Sequence, residues 1–244
     1  MGKNIKKNSI RDNLKTILYA VCIAVVIRTF FLQPFTIPSG SMLPNLLVGD
    51  YLFVSKYSYG YSKYSIPFSP NLFNNRIISS VPKRGDVVVF RLPKDTNIDY
   101  IKRVIGLPGD EIQVKNGRLY LNKEELTVNP YKENIKYLEQ NQLGHLHSEQ
   151  LGDKSYVILD TVENSIGDNT SIYIVPDEHY FFMGDNRDNS LDSRFIDRVG
   201  LVPHENLIGR AEFLFFSSDK EIKLWKFWKW HKKFRWDRIF QKIE

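Results

Sequence analysis

Apolar residues form one long run near the N-terminus and short, separated runs after it. The long run covers Thr16–Ile27, and counting from Leu14 to Leu32 across Arg28 makes it 19 residues. A helix needs about 20 residues to span a bilayer, and the long side chain of Arg28 can reach the headgroups. Pro34 and Pro38 end the helix and keep the next residues extended. This pattern predicts a transmembrane helix followed by an extended segment.

A cleaved signal peptide and a buried helix of a soluble domain are the alternatives for this run. A signal peptide needs small residues after its apolar core, whereas Arg-Thr-Phe-Phe follows here. An uninterrupted core of 12 residues suits a soluble helix. We favour an uncleaved anchor at residues 14–33. The lysines and arginines before the apolar run then keep residues 1–13 in the cytoplasm. These basic residues are Lys3, Lys6, Lys7, Arg11 and Lys15.

The later apolar runs are rich in Val, Ile, Phe and Tyr and are bounded by Gly and Pro, which is typical of strands. They are DYLFVSKYSYG, RGDVVVFRLP, SYVILDTV, SIYIVP, HYFFMGD and GRAEFLFF. In DEIQVKNGRLYLN, two alternating runs flank Asn116-Gly117, a pair that favours a type I′ hairpin turn. Helical periodicity is nearly absent from residues 36–218. We therefore predict a mainly β body of antiparallel sheets.

Polar stretches divide this body. Residues 57–81 are rich in Ser, Asn and Tyr and predict a long loop or lid. The polar stretch NPYKENIKYLEQNQLGHLHSEQLGDKS follows the hairpin and resembles an excursion from the main core. We predict a main β domain at residues 34–110 and 170–218, with a smaller β subdomain inserted at residues 111–169.

The charge is unevenly distributed. Residues 1–28 hold six Lys/Arg and one Asp, and residues 219–244 hold nine Lys/Arg and four acids, so each end carries +5. The total is +6, so the remainder carries 6 − 10 = −4. An acidic body with basic ends argues against a nucleic-acid-binding core and favours a membrane surface. The single cysteine, Cys22, excludes a disulfide framework and a Cys-based metal site.

All four tryptophans lie in the basic tail, residues 219–244, interleaved with lysines. Trp and Lys together are typical of a membrane interface, so we expect the tail to dock there. Packing against the body and contact with nucleic acid are the alternatives.

Three segments hold the residues suited to chemistry. FTIPSGSMLPNL places Ser39 and Ser41 around a glycine, and YIKRVIGLPGD places Lys102 among apolar residues. Burial and the neighbouring charge of Arg103 would lower the pKa of Lys102 and favour its neutral, basic form. A strand lysine that reaches solvent is the alternative. The third segment, MGDNRDNSLDSR, is either a solvated loop or a polar network beside a site.

Histidine chemistry is a further alternative. A Ser-His-Asp triad through His179 and Asp185 is conceivable, because triads are defined by geometry. His145 and His147 could bind a metal, but further clustered ligands are missing, so a polar loop is favoured.

The order of an N-terminal anchor, PSGSMLPNL, RGDVVVF, YIKRVIGLPGD and GDNRDNSLDSR closely resembles the type I signal peptidases. These are membrane-bound serine proteases that remove signal peptides from exported proteins, and the resemblance covers the anchor and nearly all of residues 30–218. It implies a bacterial, single-pass protein of the cytoplasmic membrane, with the N-terminus inside and the catalytic domain on the exterior or periplasmic side. Secretory preproteins are the expected substrates and membrane lipids the expected surroundings. We expect no cofactor, metal or nucleic acid.

The resemblance also implies site residues. Ser41 is the expected nucleophile and Lys102 its general base, while Ser39 and the backbone N–H of Ser41 stabilise the oxyanion. Ser190 would orient the lysine, braced by Asp185, Asp192 and Arg194. The residues expected to line the pockets for small substrate side chains are Phe35, Ile37, Met42, Leu46, Tyr100 and Ile101.

Two other classes of function remain as alternatives. One is a membrane-anchored β-rich scaffold in which these segments serve structure alone, although intact Ser41 and Lys102 speak against it. The other is a self-cleaving repressor of the DNA-damage response, which resembles this chain around its Ser and Lys. Such a repressor needs an N-terminal DNA-binding helix pair, where this chain has an anchor.

Overall fold

One long helix, α1 (Ile5–Phe30), leads almost directly into a body of β-strands. The computed structural model describes residues 5–67, 69–70, 76–131, 136–139, 142–219 and 234–243, with the backbone alone at 5–10, 136–139 and 142–143. The strands are β1 (Leu32–Thr36), β2 (Asp50–Ser55), β3 (Val87–Leu92), β4 (Asp95–Gly106), β5 (Glu111–Lys115), β6 (Arg118–Leu121), β7 (Glu124–Glu125), β8 (Val128–Pro130), β9 (Lys136–Glu139), β10 (Gln142–Leu151), β11 (Lys154–Asp160), β12 (Tyr173–Ile174), β13 (His179–Met183), β14 (Val202–Pro203) and β15 (Leu207–Ser217).

The helix α1 is apolar and exposed over most of its length. Its segment Arg11–Phe30 has 20 residues, a mean hydropathy of 1.6 and only 6% burial inside the protein. By length and composition it can cross a bilayer, whose hydrocarbon would cover the exposed side chains. The helix ends before the predicted boundary at residue 33, because Leu32 and Gln33 already pair with β2.

The largest sheet has the strand order β1-β2-β15-β3-β4-β13-β14, and its neighbouring strands are antiparallel. Successive side chains of β3 enter opposite cores, because side chains alternate across a sheet. Val87 and Val89 pack with one cluster, and Val88 and Phe90 pack with the other. Burial on both faces explains why β3 is continuously apolar instead of alternating.

Two smaller sheets complete the body, one in the order β12-β5-β6-β7 and one in the order β11-β10-β8 with β9 also on β10. The predicted hairpin turn joins β5 to β6, and Asn116 and Gly117 both have positive φ angles, 48° and 73°. A type I′ turn requires positive φ at both residues. The prediction of a mainly β, antiparallel body with an N-terminal helix is confirmed.

The strands β8, β9 and β10 fall in sequence that had no strand pattern. Their stretch is polar, and a buried charged residue of β10, Glu149, occupies a position where a strand pattern would have an apolar one. β10 pairs with β11, and β8 and β9 pair with β10, so backbone pairing forms these strands despite their composition. This is a case in which tertiary pairing overrides local preference.

The sheet β11-β10-β8, here called the inserted sheet, contacts through its edge strand β11 the segment that follows β13. Leu159 of β11 donates its backbone N–H to the carbonyl of Asp185 at 2.8 Å and accepts from the N–H of Arg187 at 2.9 Å. These bonds form a parallel bridge between Leu159 and Asn186. The polar segment MGDNRDNSLDSR is therefore fixed by backbone contacts at its start.

Residues 234–243, here called the C-terminal strap, return onto β15. Phe234 bridges to Ser218, and Lys242 bridges to Phe213. Residues 220–233, with three of the four tryptophans, lie outside the described residues, and so do parts of the predicted lid, residues 68 and 71–75. The described part of the tail thus packs on the body, and docking of the remainder at a membrane interface stays a prediction.

Candidate active site

The side chain of Lys102 contacts Ser41, which lies in the turn between β1 and β2. The Nζ of Lys102 donates to the Oγ of Ser41 at 2.5 Å. Both side chains are buried, with 9% of Ser41 and 3% of Lys102 exposed. Lys102 lies on β4, whereas Ser41 follows the end of β1, so the fold brings together residues that are far apart in sequence. A hydroxyl in contact with a buried amine is the arrangement that an activated serine requires.

Burial lowers the pKa of Lys102 to about 8, with the carboxylates of Asp192 and Asp185 acting in the opposite direction. The charge of Arg194 lowers this pKa further. We had expected Arg103 to be the cation responsible. Arg103 instead forms an ion pair with Asp185 at 2.8 Å. The cation that lowers the pKa of Lys102 is Arg194. Lys102 therefore yields a substantial neutral fraction near pH 8.

Ser39 stands beside the pair at the surface. Its Oγ lies 3.5 Å from the Oγ of Ser41, and most of its side chain is exposed to the cleft. The hydroxyl is free to turn toward a bound carbonyl. This position is compatible with the expected oxyanion donor.

Two buried ion pairs surround the lysine. Arg103 contacts both carboxylate oxygens of Asp185, each at 2.8 Å. Arg194 contacts both oxygens of Asp192, each at 2.9 Å, and the N–H of Gly184 donates to the same carboxylate at 3.0 Å. Burial alone would raise the pKa of Asp192, but Arg194 holds it below its usual range. The predicted bracing residues, Asp185, Asp192 and Arg194, are thus in the electrostatic environment of Lys102.

Ser190 is buried in this network. Its hydroxyl has no partner of normal hydrogen-bond geometry among the described residues, although it is near enough to help lower the pKa of Asp192. The structure therefore shows no hydrogen bond from Lys102 to Ser190, and its orienting role stays a prediction.

Residues not singled out from the sequence hold the backbone at Ser41. The N–H of Asn186 donates to the carbonyl of Ser41 at 3.1 Å, and its side chain donates to the carbonyl of Gly40 at 2.9 Å. A Cβ on Gly184 would lie 2.2 Å from the Oγ of Ser190 and 2.5 Å from the carbonyl oxygen of Ser41. The run Gly-Asp-Asn directly after a buried strand was the available signal for both positions.

A cleft of about 590 Å³ opens in front of the serine and lysine. Its walls are Pro38, Ser39, Ser41, Ile98, Asp99, Tyr100, Ile101, Lys102, Asp188, Asn189, Ser190, Leu191 and Phe195. A cleft of this size can hold several residues of an extended peptide or a small molecule. Asn189 and Leu191 lie within the segment MGDNRDNSLDSR but were not singled out as cleft residues, and Ile98 and Phe195 belong to no motif.

The predicted substrate-lining residues divide into two groups. Tyr100 and Ile101 line the cleft. Ile37, Met42 and Leu46 lie in the hydrophobic core behind Ser41, each at most 2% exposed, and Phe35 packs against that core. They pack behind the nucleophile and are absent from the cleft walls.

His179 and His204 are engaged away from Ser41. His179 contacts the carbonyl of Asp177 at 2.8 Å, whereas Asp185, its proposed triad partner, is paired with Arg103. His204 bonds to Ser79 at 2.9 Å and to Tyr180 at 3.0 Å. Among the described residues, the structure brings together no group of three or more His, Cys, Asp or Glu that could hold a metal.

Comparisons with known proteins point to one family. The profile of the family described as "Signal peptidase, peptidase S26" matches residues 10–216. The Signal peptidase I of Rickettsia typhi is 39% identical over 257 residues, which cover 98% of this chain and 97% of that protein. The Signal peptidase I of Rickettsia akari is 43% identical over 214 residues, 85% of this chain and 79% of that one. A crystal structure of a signal peptidase I from Enterococcus faecalis is 24% identical with a TM-score of 0.33, covering 54% of this chain and 97% of its own, a likeness too low to build on.

Proposed function

The chain belongs to the signal peptidase family, peptidase S26, and has signal peptidase I function. On that premise we propose that it cleaves by a Ser–Lys dyad formed by Ser41 and Lys102. The observation that carries the proposal is the 2.5 Å contact between the Lys102 amine and the Ser41 hydroxyl, both of them buried. A dyad of this kind needs no histidine.

The reaction then has two halves. As the Oγ of Ser41 bonds to the carbonyl carbon of the scissile peptide, its proton passes to the neutral amine of Lys102. The Ser39 hydroxyl and the Ser41 N–H stabilise the oxyanion, and loss of one such donor typically costs about 10²–10³ in rate. When the C–N bond breaks, the leaving amine takes the proton from the Lys102 ammonium. Water then attacks the acyl-serine, again with Lys102 as base, and releases the acid while restoring Ser41.

The substrates are exported preproteins, and we propose cleavage after a small-x-small sequence. Residues Asp99–Lys102 of β4 pair with β3 on one side, whereas β13 pairs with β4 only from Arg103 onward. Their other edge therefore faces the cleft, without a partner strand among the described residues. An extended substrate can add there as a strand, with alternate side chains pointing into the cleft. Tyr100 and Ile101 would limit those side chains in size.

The helix α1 makes the protein membrane-anchored, and we propose that its N-terminus is cytoplasmic and its body is outside. The basic residues that precede the apolar run Thr16–Ile27 support this orientation. Lipid then surrounds α1, and the cleft faces substrates as they leave the bilayer.

Cleavage of a labelled preprotein in detergent micelles tests the dyad, with the new N-terminus of the product sequenced. We expect Ser41→Ala and Lys102→Met each to lower kcat by at least about 10³-fold, because nucleophile and base act as a unit. Lys56→Met is the matched control, since Lys56 is also buried, its pKa is also lowered to about 8, and it contacts the carbonyl of Ser65 instead of Ser41. Full activity of Lys102→Met would place the base elsewhere, and a wild type silent on several preproteins would favour the scaffold alternative.

A further inference from the structure

The C-terminal strap lies beyond residues 10–216, the part that the family profile matches. It nevertheless joins the main sheet. The N–H of Phe240 donates to the carbonyl of Leu214 at 2.8 Å, and the N–H of Leu214 donates to Gln241 at 2.9 Å. Ile243 packs against the core cluster directly behind Ser41, which includes Met42. The strap thus covers the back of the site.

One strap residue, Arg238, contacts the turn that carries Ser41. Its guanidinium donates to the backbone carbonyl of Asn45 at 2.8 Å and to both carboxylate oxygens of Asp50, at 3.2 and 2.6 Å. These partners lie just after Ser41 and at the start of β2. A planar guanidinium can hold a carboxylate and a carbonyl in fixed relative positions, which a flexible lysine does less well.

The carboxylate of Asp50 makes this contact necessary. Asp50 is fully buried, and it accepts from the N–H of Leu47 at 2.8 Å and from the hydroxyl of Ser217 at 2.6 Å. Its counter-charges are on the strap, with Arg238 in direct contact and Arg235 at 4.0 Å. A buried carboxylate without a counter-charge is strongly unfavourable, so the strap guanidinium groups stabilise Asp50 at this position next to the turn.

The same turn connects to the network around Lys102. The side-chain amide of Asn45 donates to the carboxylate of Asp185 at 2.7 Å and to the carbonyl of Val157 at 2.7 Å. Asp185 in turn affects the pKa of Lys102. Arg238 therefore holds the backbone of a residue whose side chain bonds to the Lys102 environment. Asn186 holds the backbone carbonyls of Gly40 and Ser41, and Arg238 of the strap holds the backbone carbonyl of Asn45, further along the turn.

We propose that the C-terminal strap is a positioning element for the nucleophile and that Arg238 is its positioning residue. This inference deepens the proposed function and rests on it. Arg238 does not touch substrate. It fixes the turn so that the Ser41 hydroxyl stays in contact with the Lys102 amine. Displacing a reacting group by about 1 Å can cost about 10²-fold in rate.

The experiment compares Arg238→Met, the double variant Arg238→Met/Asp50→Asn and Arg84→Met, using the full chain in detergent and a labelled preprotein. The double variant removes the buried unpaired charge but leaves the Asn45 carbonyl without its guanidinium. Arg84 is the matched control, because it contacts both carboxylate oxygens of Asp110 and donates to the carbonyl of Ile105 at 3.1 Å. Thermal unfolding of each variant is recorded first, and kcat and KM are measured at a temperature where all are folded.

We expect Arg238→Met to unfold at a lower temperature and to lose about 10- to 100-fold in kcat, with KM within about threefold of wild type. The double variant should regain most of the stability and keep the kcat loss. Arg84→Met should lose stability and keep kcat. The inference is overturned if the double variant has wild-type kcat, or if Arg84→Met loses as much kcat as Arg238→Met. An inactive wild type would instead reject the proposed function.

Discussion

At the scale of single residues, the state of Lys102 depends on opposing charges fixed in its surroundings. Burial and Arg194 favour its neutral form, whereas Asp192 and Asp185 favour the ammonium. The balance gives a pKa of about 8. A base works best when its pKa is near the operating pH, so this balance suits catalysis in mildly alkaline conditions.

The pH profile follows from that balance. In the proposed mechanism Lys102 acts as the base only when neutral, and its neutral fraction grows as pH rises through about 8. We therefore expect kcat/KM of the wild type to rise with pH along a limb whose apparent pKa is about 8. Asp192→Asn should move this limb to lower pH, because a charge that raises the pKa of Lys102 is removed. Arg194→Met should move it to higher pH.

Initial rates on a labelled peptide across pH 6–10 measure these limbs. Asp110→Asn is the control, because Asp110 pairs with Arg84 and is not among the charges that act on Lys102. Limbs that coincide in all four proteins would mean that another group carries the titration.

The proposed reacting residues could be named from the sequence, whereas the contacts around them could not. Ser41 and Lys102 stand in short motifs, so they could be named without a structure. The pairing of Arg103 with Asp185 could not be, since it depends on which side chains meet across strands that are distant in sequence. For the same reason, the contact of Asn45 with Asp185 left no trace in the pattern.

At the scale of elements, the inserted sheet supports the segment after β13 through a buried ion pair. Glu149 of β10 is fully buried, and Arg187 contacts both of its carboxylate oxygens, one at 2.8 Å. The hydroxyl of Tyr156 donates to the same carboxylate at 2.6 Å, and its ring lies 4.0 Å from the guanidinium carbon of Arg103. The inserted sheet is thereby joined to the residues around the site.

Breaking this pair should destabilise the protein. Glu149→Gln leaves Arg187 buried without its counter-charge, so we expect a loss of about 3 kcal/mol in the free energy of unfolding. For a chain of this size, that lowers Tm by about 6–12 °C. Thermal unfolding followed by circular dichroism measures the change.

Glu125→Gln is the matched control, because Glu125 also accepts from a tyrosine hydroxyl, that of Tyr120 at 2.7 Å, but Glu125 is exposed and Tyr120 only half-buried. Its Tm should stay within about 1 °C of wild type, as exposed interactions contribute little. Equal Tm losses in the two variants would show that burial of Glu149 has no special effect.

The sequence predicted the strands that carry apolar patterns and missed those that do not. β3, β13 and the β5–β6 hairpin follow from Val- and Phe-rich runs and from Asn116-Gly117. The polar strand β10 forms because β11 and β8 provide backbone partners, and no local preference encodes that pairing.

At the scale of the whole molecule, the proposed orientation can be tested with the chain's own cysteine content. Cys22 is the single cysteine and lies in α1, so Cys22→Ser gives a background free of thiols. Ile166→Cys then adds one thiol at a position that is 90% exposed on the body. We expect a membrane-impermeant maleimide to label this variant in intact spheroplasts.

Lys3→Cys on the same background is the control for the other side and should be labelled only after lysis. The reverse pattern would mean that the body faces the cytoplasm. Labelling of both variants before lysis would indicate leaky cells or a mixed orientation, and the positive charges that precede the apolar run of α1 make a mixed orientation unfavourable.

The junction between α1 and β1 has a consequence for where the enzyme can cut. The helix ends at Phe30, β1 begins at Leu32, and the Phe30 carbonyl accepts a hydrogen bond from the Tyr61 hydroxyl at 2.9 Å. No flexible tether separates the anchor from the catalytic body. In the proposed orientation, this short connection would fix the height of Ser41 above the bilayer. The cleavage site would then be selected by its distance from the membrane surface as well as by its small side chains.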